Sequence, residues 1–208
     1  MPQVDAPKID AVVWDIGRVL VQWDLARIYR DLIPDPAERA AFTAQVVSED
    51  WHAQHDAGVS WVEMVATRSA EFPQHAALIE RYATHWLESV PGPVEGTHPL
   101  VERLTKRGVP QFCITNFGVD AFAAFRPTFP ILDHFADIVV SGVEKLVKPD
   151  AAIFHLAARR FGHAAERMVF IDDNAANIAT AQVLGWQVHH FTGDAVALEA
   201  DLTALGAL

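Results

Sequence analysis

Two apolar segments of the chain end directly in aspartate. Ala11–Trp14 runs into Asp15, and Met168–Ile171 runs into the pair Asp172 and Asp173. A continuous apolar run is typical of a buried parallel strand, and ligands of parallel sheets bind at the carboxyl ends of the strands. We therefore expect the three carboxylates to meet at one edge of a sheet.

Two further segments place polar side chains at the end of a strand or at the start of a helix. The apolar run that ends at Ile114 is followed by Thr115 and Asn116, and Lys148 stands just before Asp150, which can begin a helix. Carboxylates, a hydroxyl, an amide and a lysine suit magnesium-dependent phosphoryl transfer, because the metal and the lysine neutralise the phosphate and the attacking group.

These four segments, in this order, resemble the haloacid dehalogenase superfamily of aspartate-nucleophile hydrolases. The resemblance covers nearly the whole chain. The form Asp15-Ile16-Gly17-Arg18-Val19-Leu20 is most similar to the branch that contains sugar-phosphate phosphatases and the phosphatase domain of soluble epoxide hydrolases.

The resemblance implies a role for each polar residue. Asp15 would attack phosphorus and form an aspartyl-phosphate that water then hydrolyses. Lys148 would orient Asp15 and offer positive charge to the phosphate, and Thr115 and Asn116 would donate hydrogen bonds to the phosphoryl oxygens.

The resemblance also implies a bound Mg²⁺. Asp173 would be its main side-chain ligand, with Asp172 binding it directly or through water. Asp15 and the backbone carbonyl of Gly17 would complete the protein ligands.

Gly17 is also the main departure from the commonest family pattern. Most phosphatases of the superfamily have a second aspartate here, which protonates the leaving group and later activates water, and glycine can do neither. Asp24, His52 and His55 are candidate substitutes, although each also suits a helix cap or a solvated position. The aromatic side chains of Trp51 and Trp61 are candidates to line the substrate pocket, and packing in the interior is the alternative.

Helices and short apolar segments alternate after Pro99, which predicts a doubly wound, Rossmann-like α/β fold with about five parallel strands. Asp150 and Gly162 mark the start and end of one of the intervening helices. The predicted strands are Ile9–Trp14, Val109–Thr115, Asp137–Val140, Met168–Ile171 and Trp186–His189.

Residues 22–95 show helical signals and no strand signal. Asp35-Pro36 predicts a capped helix start, Ser60 and Glu63 fit a capping box, and Pro91-Gly92-Pro93 marks an exit from the segment. We predict a core domain formed by residues 1–21 and 96–208, and an inserted all-helical cap domain at 22–95. A cap at this place can cover the sheet edge, exclude water and select the leaving group.

Composition excludes several other classes of protein. The 208 residues carry a net charge of −11, which disfavours a nucleic-acid partner, and 51% of them are apolar, which argues against disorder. No apolar run approaches the length of a membrane span, and the segment at Met1–Asp5 lacks the features of a secretory signal, so we expect a cytoplasmic protein with no membrane partner. The single cysteine, Cys113, excludes an internal disulfide and suits a buried position.

The sequence thus predicts a magnesium-dependent phosphatase, a monomer or homodimer, that hydrolyses a small phosphorylated metabolite, with sugar phosphates among the candidates. Two alternatives stay open. One is a metal-independent 2-haloacid dehalogenase, which the adjacent Asp172 and Asp173 disfavour because they would repel an anionic haloacid. The other is a catalytically weak binding or regulatory member of the same fold.

Overall fold

A five-stranded parallel sheet forms the centre of the protein. The computed structural model describes residues 9–208, so the first eight residues of the predicted core domain, Met1–Asp5 among them, lie outside the described residues. The strands are β1 (Ala11–Trp14), β2 (Gln111–Thr115), β3 (Asp137–Val140), β4 (Met168–Asp172) and β5 (Gln187–His190). Their spatial order is β3-β2-β1-β4-β5, with every neighbouring pair parallel. The predicted doubly wound α/β class is confirmed.

The strand boundaries differ from the sequence prediction by one or two residues. β2 begins at Gln111 instead of Val109, because Pro110 has no N–H to give to a ladder, although its carbonyl accepts a hydrogen bond from Val12 N at 3.0 Å. β4 continues through Asp172, which pairs with His190 of β5. The first metal-binding candidate is therefore part of the sheet itself.

Helices cover both faces of the sheet, and alternate side chains of each strand meet them. Helices α8 (Ala151–Phe161) and α9 (Ala175–Val183) pack on the face that carries Val13 and Phe170. Helices α5 (Thr97–Lys106) and α10 (Ala195–Ala204) pack on the other face, with Trp14. Cys113, in β2, is fully buried. The remaining helices of the core are α6 (Val119–Phe125), the four-residue α7 (Ser141–Glu144), and the 3-10 turns Arg126–Thr128, Pro130–His134 and Ala165–Arg167.

Residues 22–95, which we call the cap segment, consist of helices and their connections. The α-helices are α1 (Pro36–Gln45), α2 (Glu49–Asp56), α3 (Trp61–Glu71) and α4 (Ala76–Thr84), and 3-10 helices occupy Leu25–Tyr29, Pro73–His75 and Trp86–Ser89. None of the helices within residues 9–208 is long and apolar enough to cross a membrane.

Side-chain caps explain where the helices of the cap segment begin. Asp35 accepts hydrogen bonds from Ala37 N and Glu38 N, and Ser60 accepts one from Glu63 N at 3.3 Å, as the sequence predicts. Asp24 behaves differently, since its carboxylate pairs with Arg30 at 2.6 Å and makes no cap hydrogen bond.

Two connecting segments, which lie side by side, join the cap segment to the core. Gln22 N donates to the carbonyl of Gly92 at 2.8 Å, and Val94 N donates to the carbonyl of Leu20 at 3.0 Å. The two crossings therefore support each other. The division into two domains and the motion of one against the other stay predictions.

Candidate active site

Three carboxylates converge at the carboxyl edge of the sheet. Asp15 directly follows β1, Asp172 ends β4, and Asp173 comes next in the chain. One oxygen of each lies within 4.8 Å of the others. The adjacency of β1 and β4 produces this cluster, because parallel neighbours deliver their last residues to the same place.

Lys148 is the buried cation of the cluster. Its Nζ lies 2.9 Å from Asp15 Oδ1 and 2.7 Å from Asp172 Oδ2, and it donates a third hydrogen bond to the carbonyl of Ile114 at 2.9 Å. Only 1% of the lysine side chain is exposed. Burial works against its charge, but the charges of Asp15 and Asp172 prevail and raise the pKa of Lys148. The lysine therefore remains a cation that holds the nucleophile candidate in place.

The two aspartates after β4 have different surroundings. Asp172 is fully buried, and its two oxygens accept hydrogen bonds from Lys148 Nζ, Asn174 N and Asn177 Nδ2. Asp173 is partly exposed. Burial and the charge of Asp172 raise the pKa of Asp173. Asp172 is thus committed to organising the cluster, whereas Asp173 is the more accessible carboxylate for a ligand.

The electrostatics of the cluster suit a divalent cation. Burial raises the pKa of Asp15, an effect that Lys148 opposes and the charge of Asp172 reinforces. Three carboxylates around one lysine leave an excess of negative charge, and their oxygen atoms are the ligands that Mg²⁺ prefers. The donor set fits the predicted metal, with Asp173 and Asp15 as the side chains that would hold it.

Thr115 and Asn116 stand at the end of β2, beside this cluster. Thr115 is buried. The Asn116 side chain makes two hydrogen bonds to the main chain of Lys148. Its Nδ2 donates to the Lys148 carbonyl at 2.9 Å, and its Oδ1 accepts from the Lys148 N–H at 2.8 Å. Asn116 thereby positions the lysine, a contact that the sequence does not predict. One Nδ2 hydrogen is left over for a phosphoryl oxygen, so the predicted phosphate contact stays a prediction.

Gly17 occupies a turn with open space around its α-carbon. Apart from Gly17 and its chain neighbours, no heavy atom of residues 9–208 lies within 4 Å of the position that a β-carbon would take. Its backbone is not in the left-handed region, whereas that of Arg18 is, at φ 58°. The Arg18 guanidinium pairs with Glu49 on α2 and lies 4.8 Å from the centre of the Trp23 ring. A β-carbon at position 17 therefore meets no steric obstacle.

A small cavity of about 70 Å³ adjoins Gly17 between the core and the cap segment. Most of its wall is apolar, and the cap contributes two ionisable side chains, His52 and Asp56. The lining residues are Gly17, Val21, Trp23, His52, Asp56, Trp86, Val90, Asn116 and Phe117. Gly17 stands two residues after Asp15, and Asn116 binds the main chain of Lys148, so this cavity adjoins segments that carry the cluster.

The aromatic candidates from the sequence lie elsewhere. Trp51 and Trp61 pack against Tyr82 in the interior of the cap, with ring centres 5.6 Å from the tyrosine ring in each case. The tryptophans that line the cavity are Trp23 and Trp86. No sequence pattern distinguishes the two tryptophans of the cavity from the two of the cap interior, so only the packing of the folded chain decides which of them line the cavity.

Two of the three candidate proton donors have structural partners away from the cavity. Asp24 is at the surface with Arg30. The ring of His55 stacks on Trp61 at 3.8 Å, its Nδ1 lies 2.8 Å from the Val59 carbonyl, and its Nε2 accepts from Ala121 N at 3.3 Å.

His52 does line the cavity, but burial lowers its pKa to about 3, so it is neutral near pH 7. Sequence reasoning missed Asp56 as a candidate proton donor. The signal was its i+4 spacing from His52, which puts both side chains on one face of α2.

Comparison with known proteins identifies the family. Residues 9–185 match the model of the haloacid dehalogenase-like hydrolases. The chain therefore belongs to that family of hydrolases, and the predicted membership is confirmed.

Individual relatives agree with this assignment. A sesquiterpene phosphatase of Aspergillus oryzae is 28% identical over 93 residues, which is 45% of this chain and 47% of the relative, so the match spans about half the length of that protein. A HAD-like hydrolase of Porphyromonas gingivalis has a similar fold, with a TM-score of 0.72, 18% identity, and 94% of this chain and 98% of that chain covered. A HAD family enzyme of Bacteroides thetaiotaomicron, solved with magnesium and inorganic phosphate, gives a TM-score of 0.69 at 20% identity, with 87% and 93% covered.

Proposed function

We propose that this hydrolase is a magnesium-dependent phosphatase that cleaves a small phosphoric monoester through an aspartyl-phosphate. The observation that carries the proposal is the cluster itself, in which Lys148 Nζ bridges Asp15 and Asp172 while an oxygen of Asp173 lies within 4.8 Å of theirs. The phosphatase relative and the magnesium and phosphate complex of a structural neighbour support the same reading.

The chain's own residues divide the work as follows. Asp15 Oδ attacks phosphorus while Lys148 holds the carboxylate in position and favours its anionic form against the effect of burial. Thr115 and the remaining Nδ2 hydrogen of Asn116 donate to the phosphoryl oxygens. Asp173, Asp15 and the Gly17 carbonyl would hold Mg²⁺, which would supply positive charge against the phosphate.

The shape of the cavity bears on the substrate. Its wall is formed largely by Val21, Trp23, Trp86, Val90 and Phe117, and these side chains favour an alcohol with apolar surface. We therefore place phosphate esters of apolar alcohols beside the sugar phosphates as substrate candidates, and a panel should contain both.

The metal-independent dehalogenase is the less favoured alternative. Asp173, half-buried beside Asp172, adds negative charge where a haloacid would bring its own carboxylate. A dehalogenase would release chloride from 2-chloropropionate in the presence of a chelator, whereas the proposed phosphatase would be inactive under that condition.

The test uses the purified protein with 4-nitrophenyl phosphate and the substrate panel, with Mg²⁺ and with chelator. We expect turnover that requires Mg²⁺ and disappears in Asp15→Asn, because the amide is a poor nucleophile. Asp50→Asn, at an exposed aspartate of α2, is the matched control and should keep full activity. Phosphatase turnover in folded Asp15→Asn would contradict the nucleophile assignment, and no turnover of any phosphate by the wild type would favour the binding or regulatory alternative.

A further inference from the structure

We propose that the carboxyl group of Asp56, on cap helix α2, donates the proton to the leaving-group oxygen, the task that an aspartate at position 17 performs in the commoner family pattern. This inference rests on the proposed phosphatase function. It assigns the acid and base that Gly17 cannot supply.

The position of Asp56 is the first observation. Asp56 lines the cavity together with Gly17 and Asn116, which belong to the segments that carry Asp15 and Thr115. In the proposed complex, an ester whose phosphorus lies at Asp15 would extend its alcohol past Gly17 into this cavity. The oxygen that leaves is then between the core cluster and the cap wall that includes Asp56.

The second observation is an unsatisfied polar atom. Asp56 Oδ1 is buried and has no hydrogen-bond partner among the described residues, and His52 Nε2 lies 3.5 Å from it. A buried carboxyl oxygen without a partner loses the hydrogen bonds that water gives it in the unfolded chain, so it is destabilising. Such a group is expected where a ligand supplies the missing hydrogen bond, which the leaving oxygen or a water would do.

The third observation is that Asp56 is rigidly seated against the core. Its backbone carbonyl accepts a hydrogen bond from Ser141 Oγ at 2.6 Å, and that oxygen also accepts from Phe117 N at 2.9 Å. α2 approaches so closely that a β-carbon on Gly118 would lie 1.9 Å from the His55 ring. The absence of a side chain at Gly118 therefore leaves room for the His55 ring of α2 at this edge of the core.

The charge state agrees with this geometry. Burial raises the pKa of Asp56 to about 7, against the opposing effects of a hydrogen bond from the Gly118 N–H and the charge of Lys148. A carboxyl with such a pKa has a substantial protonated fraction near neutral pH, which a proton donor needs. The facing ionisable side chains are His52, which is neutral, and Tyr82, whose hydroxyl lies 3.0 Å from His52 Nδ1.

The proton balance closes over the two steps. When Asp15 Oδ bonds to phosphorus, the bond from phosphorus to the alcohol oxygen breaks, its electron pair stays on that oxygen, and Asp56 transfers its proton there, so that the neutral alcohol leaves. The Asp56 carboxylate then takes a proton from water as the water oxygen attacks phosphorus. The bond to Asp15 breaks, inorganic phosphate forms, and both aspartates return to their starting states.

The test compares an alkyl phosphate, whose alkoxide needs a proton, with 4-nitrophenyl phosphate, whose phenolate leaves readily. Asp56→Asn should lower kcat by roughly 10²- to 10⁴-fold on the alkyl phosphate and by less than about tenfold on the nitrophenyl ester. Asp50→Asn, the same change at an exposed site of α2, should alter neither. Adding Gly17→Asp to Asp56→Asn should restore at least about tenfold of the alkyl phosphatase activity, because the space at position 17 is open.

The results that would overturn the proposal are distinct from failure of the proposed function. Equal losses on both esters in Asp56→Asn would indicate a structural role, and unchanged kcat would exclude any role. If Asp56→Asn does not fold, Gly17→Asp alone decides the question. With Asp56 already acting, it should raise alkyl phosphatase activity less than about threefold, whereas a hundredfold gain would show that no acid was present. In each case turnover that needs Asp15 must first be found in the wild type, and its absence counts against the phosphatase itself.

Discussion

Replacement of Lys148 by methionine tests the electrostatic design of the site. The substitution keeps an unbranched side chain of similar length and removes the charge that lies 2.9 Å from Asp15 Oδ1 and 2.7 Å from Asp172 Oδ2. Both carboxylates are buried, with side-chain exposures of 12% and 0%. Removing one partner of a buried ion pair costs about 3 to 5 kcal/mol, and here two carboxylates lose the same cation. We expect the free energy of unfolding at pH 8 to fall by at least that amount.

The sign of the pH dependence follows from Asp15. Its folded pKa is raised above the unfolded value of 3.8, so its favourable contribution is present at low pH and is lost as the pH rises through the folded pKa. Lys148 is the group that opposes this rise, so in Lys148→Met the pKa of Asp15 goes up further. The destabilisation should therefore be largest at pH 8 and clearly smaller at pH 5, where Asp15 is protonated.

Urea unfolding of the wild type and the variant at both pH values, with chelator present, measures the effect. Lys106→Met, at an exposed lysine near the end of α5, is the matched control and should change stability by less than about 0.5 kcal/mol. A loss below about 1 kcal/mol at pH 8, or the same loss at pH 5 and pH 8, would refute the idea that Lys148 compensates two buried carboxylates.

Three further predictions follow from the site and the cap. Asp173→Ala should raise the Mg²⁺ concentration needed for half-maximal activity, and wild-type activity at limiting Mg²⁺ would mean that another residue holds the metal. Asp56→Asn should flatten the pH dependence of the free energy of unfolding. The Asp56 carboxyl has a pKa of 3.8 in the unfolded chain and about 7 in the folded protein, so it loses about 4 kcal/mol of stabilisation as the pH rises from 4 to 8. An unchanged pH profile of unfolding in the variant would contradict that pKa. We predict that the two connections between core and cap, residues 21–24 and 90–96, act as hinges. Aluminium or beryllium fluoride with Mg²⁺ should slow hydrogen exchange in both, and identical exchange with and without the analogue would argue against a moving cap.

Local sequence determines much of this protein. Apolar runs that end in Asp15 and Asp172 predict both the strands and the edge where the carboxylates meet. The reason is that a run of a few apolar residues is enough to indicate a buried parallel strand. Asp35, Ser60 and Asp150 predict helix starts, since the hydrogen bonds of a cap span only two or three residues. Family membership also follows from the order of four short motifs, without knowledge of how they pack.

Tertiary structure decides what depends on distant parts of the chain. The order β3-β2-β1-β4-β5 is what places Asp172, 157 positions after Asp15, beside the same lysine. Asn116 turns its amide to the main chain of Lys148, a partner 32 residues away. The pocket uses Trp23 and Trp86 instead of the equally aromatic Trp51 and Trp61, and no local pattern distinguishes them.

Asp56 shows the same limit most clearly. In the sequence it is an acidic residue at the end of the polar segment Glu49–Asp56, where solvation is the ordinary outcome. Its burial, its unpartnered oxygen and its position beside Gly17 come from the close approach of α2 to Gly118 and Ser141, two residues of the core. The ionisation of a carboxyl depends on everything packed around it, so only the folded chain decides which aspartate is available as an acid.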